Sequence, residues 1–383
     1  MTPGALKVET ISAQDHLGFV EQLPSASFLQ TPAWGAVKAE WRSESIGWRD
    51  ASGALVGVGL VLHRPIPKLK RYTLAYLPEG PLIDWTDSDL GRWLDPMAAH
   101  LKWGGAFGIR MGAPVITRRW TAAQIKEGLA DDGVRNLREV PTEVDPAGRK
   151  VADHLAAAGW RDQHVEEGFG AGQPQYTFAV PLADRDEEAV LKGMNQLWRR
   201  NIKRADKSGV VVQITDGTSP ATQQADVLKR FHTLYVETAE RDHFTPRGLA
   251  YFTTMLEAMN AENPHRVRLF TAEHEGDLVA ATIYLQVGAH TWYLYGASST
   301  AKRDVRGSNA VQWAMLREAL ASGAAVYDLR GITSTLDSQD SHAGLIQFKV
   351  GTGGEALETV GEWDLPLNPL LYKAFDLYMS RRG

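Results

Sequence analysis

The 383-residue chain contains no cysteine. That excludes disulfides, thiolate metal sites and cysteine nucleophiles, and it suits a cytoplasmic protein. No window approaches the run of about 18 apolar residues that a membrane-spanning helix needs. Met1-Thr2-Pro3-Gly4-Ala5 lacks the basic-then-apolar layout of a signal peptide, so cytoplasmic residence is the expectation. No Gly-x-Ser-x-Gly elbow, phosphate-binding loop ending in Gly-Lys-Ser/Thr or His-Glu-x-x-His occurs, and the eleven histidines lack ligand spacing. Serine-hydrolase, nucleotide-hydrolase and zinc-protease chemistry therefore have no support. Nor is there a global basic excess. With net charge -5, any nucleic-acid contact must use a local patch.

What is present reads as a packed globular protein, 44% apolar and 23% charged, long enough for two domains. Gly53-Ala-Leu-Val-Gly-Val-Gly-Leu-Val-Leu62 is echoed by Gly276-Asp-Leu-Val-Ala-Ala-Thr-Ile-Tyr-Leu285. Each strand-like run leads to an aromatic strand (Tyr72–Tyr76, Trp292–Tyr295), then a helix, a glycine and a further strand (Gly105–Met111, Gly323–Arg330). The pattern indicates a diverged duplication of a unit with mixed sheet and packed helices, an α/β (α+β) arrangement rather than a Rossmann wheel. The helix from about Asn309 to Ala321 carries Val311, Met315, Leu316, Ala319 and Leu320 on one side. Residues 141–175 read as irregular apart from a helix over Arg149–Ala158, and the second unit is expected to begin near Tyr176.

Several residues invite a chemical reading. Lys349 lies in Gln347-Phe348-Lys349-Val350, before the turn Gly351-Thr-Gly-Gly354, and the pattern predicts a strand there. A lysine among apolar neighbours either faces water or serves a pocket needing a fixed positive charge. Glu187–Lys207 predicts one long helix with Leu191, Met194, Trp198, Ile202 and Ala205 as its stripe. Between Lys192 and Lys207 it carries six basic residues, Arg199, Arg200, Lys203 and Arg204 among them, against Asp206 alone. That face is either solvated or a contact for a nucleic-acid backbone.

Thr31 and Pro32 predict a helix start, placing Trp34 and Val37 on a buried stripe with Lys38 at its edge. Asp84 follows the stiff Pro78-Glu-Gly-Pro81 turn and is expected either to sit in a partly apolar cleft or to cap the next helix. Arg241 can pair with a phosphate or carboxylate, or with Glu237 on its own helix. Arg303-Asp-Val-Arg306-Gly307-Ser-Asn309 resembles the pyrophosphate loop of the acetyl-coenzyme A N-acetyltransferases. Asp304 and Asn309 depart from that loop, and an acidic Asp304 would repel a pyrophosphate.

Taken together, Phe28–Trp34 with Lys38, Gly80–Asp84, Leu197–Ala205, Arg241–Phe244, Leu294–Ser298 and Phe348-Lys349 through Val360–Leu367 make the chain similar to the Fem family. These are nonribosomal aminoacyltransferases that build peptidoglycan cross-bridges. The resemblance implies two tandem N-acetyltransferase-like (GNAT-like) domains, of the compact type without a helical arm. The expected division is 1–175, with 355–383 returning to it, and 176–354. It implies transfer of an amino acid, with glycine favoured, from aminoacyl-tRNA to an amine of the precursor stem peptide. The acceptor would be lipid II or UDP-MurNAc-pentapeptide, met in the cytoplasm or at the inner membrane face with a peripheral membrane contact.

Lys349, Phe348 and Asp84 match positions at the transfer site and acceptor cleft, Asp84 as a carboxylate able to accept or orient the amine. Lys38, Arg241 and Tyr295 match substrate-binding positions, and Arg199, Arg200, Lys203 and Arg204 are the expected tRNA contacts. Thr245 stands where another aromatic is expected. No cofactor, metal or ATP is required, because the tRNA ester is already activated. The alternatives are the same transfer to a small peptide or natural-product amine, an acetyl-coenzyme A-dependent N-acetyltransferase, and a non-catalytic binding protein.

Overall fold

The computed structural model describes residues 4–67, 69–131, 133–163, 172–337, 339–340 and 342–380. Its first half runs β1 (Lys7–Thr10), α1 (Ala13–Val20), α2 (Pro32–Val37), β2 (Arg42–Arg49), β3 (Leu55–Ile66), β4 (Leu69–Leu77), α3 (Gly91–Trp103), β5 (Ala106–Thr121), α4 (Ala122–Ala130), α5 (Pro146–Ala157) and β6 (Arg161–Asp162). The second half runs β7 (Tyr176–Pro181), α6 (Glu187–Gly193), α7 (Gln196–Lys207), β8 (Val211–Thr215), α8 (Ala221–Asp242), α9 (Leu249–Glu262), β9 (Val267–His274), β10 (Asp277–Val287), β11 (His290–Ser298), α10 (Gly307–Ala321), β12 (Val326–Gly331), α11 (Ala343–Val350), β13 (Glu355–Pro366) and α12 (Pro369–Ser380).

These elements form two compact units. The first comprises 1–119, 142–175 and 357–383, and the second 120–141 and 176–356. Residues 120–141 thus group with the second unit, whereas the sequence placed them in the first. The reason is packing. Trp120, Ile125, Leu137 and Val140 are buried with Tyr176, Phe178 and Tyr327 in the second unit's core.

The repeated sequence pattern reappears as repeated topology. In the first unit the strand order is β1-β2-β3-β4-β5-β13. β1 through β4 pair antiparallel, and α3 carries the chain over to β5, parallel to β4. In the second the order is β8-β9-β10-β11-β12-β7. β8 through β11 pair antiparallel, and α10 leads to β12, parallel to β11. A parallel pair needs such a crossover helix. Each unit has its own core, with Trp48, Val61, Ala75, Met97 and Ile109 in the first and Phe270, Tyr284, Val311, Met315 and Leu316 in the second. The mixed, helix-flanked sheets expected from the sequence are therefore present.

One difference between the copies bears on function. β4 and β5 stay paired from Thr73–Ala106 to Leu77–Met111. β11 and β12 pair only from His290–Val326 to Trp292–Asp328, and then separate.

Two predicted elements need correction. The expected helix over Glu187–Lys207 is two helices, broken at Met194, because Asn195 adopts an extended backbone and caps α7 by accepting the Trp198 N–H. Gln347–Val350 is the end of helix α11, not a strand. Ile346 and Val350, four residues apart, bury one helical stripe, and the glycine turn at 351–354 ends it.

Candidate active site

Lys349, near the end of α11, reaches the end of β12. Lys349 is only 3% exposed. Its Nζ donates to the Gly331 carbonyl at 2.6 Å and to the Arg330 carbonyl at 3.3 Å. Burial pulls its pKa down from 10.5 to about 7. Asp328 works against that shift and Arg330 with it. Arg330 has a left-handed backbone, φ 63°, and its N–H donates to the Asp328 carboxylate at 2.5 Å. Burial alone would raise Asp328, but His290 at 3.5 Å and the Arg330 charge hold it below the usual carboxylate value. Lys349 thus joins α11 to the separated edge of β12 through backbone carbonyls.

Phe348, the preceding residue, points elsewhere. Its ring lies 4.8 Å from that of Trp198, whose indole N–H donates to the Phe348 carbonyl at 2.9 Å. The contact needs glycine at 351, where any Cβ would overlap the Trp198 ring. Both aromatic rings line a cavity of about 440 Å³ with Gln347, Ser298 and Asn309.

The N-terminus of α10 and the cations Lys302, Arg303 and Arg306 complete this cavity. Gly307 opens the helix because a Cβ there would lie 2.7 Å from Val279. Lys302 is held by Asp277 at 2.8 Å and Glu275 at 3.2 Å. The buried Arg306 Nε has no hydrogen-bond partner among the described residues. A helix N-terminus flanked by cations favours an anion. Asp304, expected to repel one, instead points to solvent and pairs with Arg204 at 3.6 Å.

The remaining basic residues of α7 divide in two. Arg199 Nη1 donates to the carbonyls of Met194 and Lys192, spanning the helix break. Arg200 and Lys203 are exposed. Arg241, at the end of α8, pairs with Asp242 at 2.7 Å rather than with Glu237, and donates to the Ser298 carbonyl at 2.7 Å. Tyr295 shares a hydroxyl contact of 3.2 Å with Tyr251 and packs 5.0 Å from Phe252.

Two sequence-predicted residues belong to the first unit. Lys38 ends α2, with Nζ 5.7 Å from the Trp34 ring centroid and 3.7 Å from Glu40. Asp84 does not occupy an apolar cleft. It is exposed and accepts the Thr86 N–H and hydroxyl at 2.9 and 2.6 Å. Leu82 bridges to Val58 and Ile83 packs on the core, so the next residue turns outward.

Two carboxylates of this unit escaped the sequence reading. Glu362 is raised by burial and accepts the Tyr76 hydroxyl at 2.6 Å. Glu79, left-handed at φ 48°, accepts the Ser27 hydroxyl at 2.6 Å. The Pro-Glu-Gly-Pro turn was a signal for Glu79. Glu362 falls within the Val360–Leu367 stretch that carries part of the family resemblance, but its strand pattern does not single it out.

The FemAB family profile matches residues 11–265 and 260–379. Lipid II:glycine glycyltransferase of Staphylococcus aureus (strain MRSA252) is 26% identical, over 97% of this chain and 95% of that protein. Among solved structures, that of FemX superposes with a TM-score of 0.78 at 23% identity, covering 96% of this chain and 99% of FemX. A tandem GNAT protein from the clavulanic acid biosynthesis pathway gives a TM-score of 0.51 at 12% identity, covering 94% of this chain and 98% of that one. The last two similarities establish a tandem GNAT-like fold.

Proposed function

The chain belongs to the FemAB family and is an acyltransferase, and we propose that it moves glycine from aminoacyl-tRNA to an amine on the stem peptide of a peptidoglycan precursor. The name of the S. aureus relatives supports glycine as donor and lipid II as acceptor. The observation that carries the tRNA is the cavity where the Phe348–Trp198 pair meets Lys302, Arg303, Arg306 and the start of α10. Aromatic faces stack nucleobases and cations hold phosphates, which are the two needs of a single-stranded tRNA end. Arg200 and Lys203 extend the basic surface along α7.

In the reaction the acceptor nitrogen bonds to the ester carbonyl carbon, the carbon–oxygen bond to the ribose breaks, and the amine proton ends on the released ribose hydroxyl. Catalysis here is positioning and charge stabilisation. Lys349, when protonated, supplies fixed positive charge beside Phe348 and keeps α11 on β12. Asp84 and Lys38 of the first unit, and Arg241 and Tyr295 of the second, are the side chains proposed to contact the acceptor, Asp84 by accepting from or orienting its amine.

The test crosses several charged tRNAs with lipid II and UDP-MurNAc-pentapeptide. Glycine transfer from glycyl-tRNA to either precursor is expected, with a large loss in Lys349→Ala. Transfer only to an unrelated small amine, or acyl transfer from acetyl-coenzyme A instead, would overturn the reading.

A further inference from the structure

One end of the first unit combines exposed apolar side chains with exposed basic ones. β4 and β5 run parallel with Thr73 opposite Ala106, so both begin at this end. Leu69, the first residue of β4, lies here, as does Trp103, the last residue of α3. The Phe107 carbonyl accepts the N–H groups of Leu367 and Asn368, which brings the start of α12 to the same place. Three apolar side chains are left outside: Trp103 at 90% exposure, Leu370 at 83% and Leu69 at 48%.

α12 shows why this surface is not merely core spilling outward. Leu371, Tyr372, Phe375 and Met379 pack with Leu74 and Phe107. Leu370, Ala374 and Leu377 form a second stripe on the opposite side, beside the exposed Lys373. A surface helix normally needs one apolar stripe, and a second implies a second apolar contact.

The charges point one way. Lys70, Arg71, Lys102 and Lys373 are exposed, and none makes an ion pair among the described residues. Glu44, which lines the same surface hollow as Trp103, Lys70 and Arg71, is already held by His63 at 2.9 Å and His100 at 2.8 Å. Asp376 is the exposed acid on α12. A basic end on a chain of net charge -5 is a local feature, and a second copy docking face to face would set its cations against like charges. Exposed Trp and Leu ringed by Lys and Arg suit the headgroup region of an anionic bilayer.

We propose that this end of the first unit docks the protein on a lipid bilayer carrying anionic headgroups. The inference stands on the first unit's surface alone and goes beyond the transfer reaction, so either can fail without the other.

The test is flotation of the full chain with phosphatidylcholine vesicles and with vesicles that also carry phosphatidylglycerol. Binding is expected only to the second kind, and salt should weaken it. Lys70→Glu with Arg71→Glu should lower the partition coefficient by about fivefold or more per residue. Trp103→Ser with Leu370→Ser should lower it by about tenfold or more. Both variants should retain the wild-type melting temperature and transfer to the nucleotide-linked acceptor. Brominated lipids should quench wild-type tryptophan emission, a readout that needs no variant, and the Trp103→Ser substitution should abolish that quenching. Absence of phosphatidylglycerol-dependent binding overturns the proposal. So does unchanged binding by both variants, a wild-type dimer dissolved by Leu370→Ser, or a charge variant that loses tRNA affinity instead of vesicle binding.

Discussion

Replacing Lys349 with Met tests the central feature of the second unit in a way that does not depend on the reaction. Met matches the reach of lysine and is tolerated in cores. The folded protein releases the Lys349 proton near pH 7, whereas the unfolded chain keeps it to about 10.5. That displacement corresponds to about 5 kcal/mol withheld from the folded state when Lys349 is charged. Between pH 7 and 10.5 the unfolded state binds the extra proton, so Lys349 makes wild-type stability rise with pH by about 1.4 kcal/mol per unit. Below pH 7 both states hold it and this contribution is flat at its most unfavourable value. Met removes the penalty but leaves the carbonyls of Gly331 and Arg330 without their donor, at about 1–3 kcal/mol each. The two changes nearly cancel at pH 6. At pH 9 about 2 kcal/mol of the penalty is left, because the unfolded chain still holds the proton up to 10.5, so from pH 6 to pH 9 the variant should lose about 3 kcal/mol relative to wild type. Urea unfolding from pH 6 to 9 measures this, with hydrogen exchange on peptides spanning α11 assigning the transition to the second unit. A stability difference that does not change between pH 7 and 9 would refute a depressed Lys349, and with it any mechanism that relies on its charge changing near neutrality.

Phe348→Leu keeps the volume but loses the aromatic face, and about 5- to 100-fold should be lost in kcat/KM for aminoacyl-tRNA with little change for the acceptor; an unaltered tRNA dependence would remove the stacking role. Arg200→Glu with Lys203→Glu should reduce the steepness of the log affinity–log salt plot for tRNA by about two, and an unchanged slope would place the tRNA elsewhere. Asp364→Ala strands the Arg110 guanidinium, now paired bidentately at 2.7 Å, and should cost about 3–5 kcal/mol in calorimetric or denaturant stability of the first unit. Asp84→Asn should alter stability by less than about 1 kcal/mol because the side chain is exposed, so a fall in kcat would report its part in handling the amine, and an unchanged kcat would exclude one.

Much of this was legible in the sequence, but unevenly. The hairpin, helix and strand order of both copies followed from periodicity, because each β3-like and β10-like run buries a continuous core and each crossover helix carries one stripe. Lys349 drew attention for a sound reason, an apolar setting for a charge, yet its element was misread. Four residues of alternating polarity fit a strand as well as the last turn of a helix, and only the contacts of Ile346 and Val350 decide between them. The break at Met194 was hidden for a similar reason: the apolar spacing continues through it, and Asn195 reads as helix surface until its side chain is seen capping the Trp198 N–H. Asp84 was misplaced because proximity to apolar residues in sequence does not say which way a side chain turns after a strand.

The duplication sharpens what the second unit is for. α3 and α10 occupy the same place in their units, each leading from a hairpin to a parallel strand. At the start of α3 the protein fills its own anion position. Asp87 accepts from the Trp93 indole at 2.9 Å and from Arg92 at 3.2 Å, and Asp89 accepts the Arg92 N–H at 3.3 Å. The neighbouring strands β4 and β5 stay paired, so no gap opens beside it. At the start of α10 no carboxylate among the described residues takes that role, Arg303 and Arg306 gather beside Lys302, which Asp277 and Glu275 hold, and β11 and β12 separate after Trp292 and Asp328. A helix N-terminus that carries its own carboxylates has little left to offer a ligand, whereas one left open beside cations and a stacking pair retains its favourable field. The two helix starts therefore differ in what they can offer an anion: the first is occupied by the protein's own carboxylates, and the second is flanked by cations. The second unit also holds Phe348 and Lys349, which is why the proposed donor tRNA is sought there.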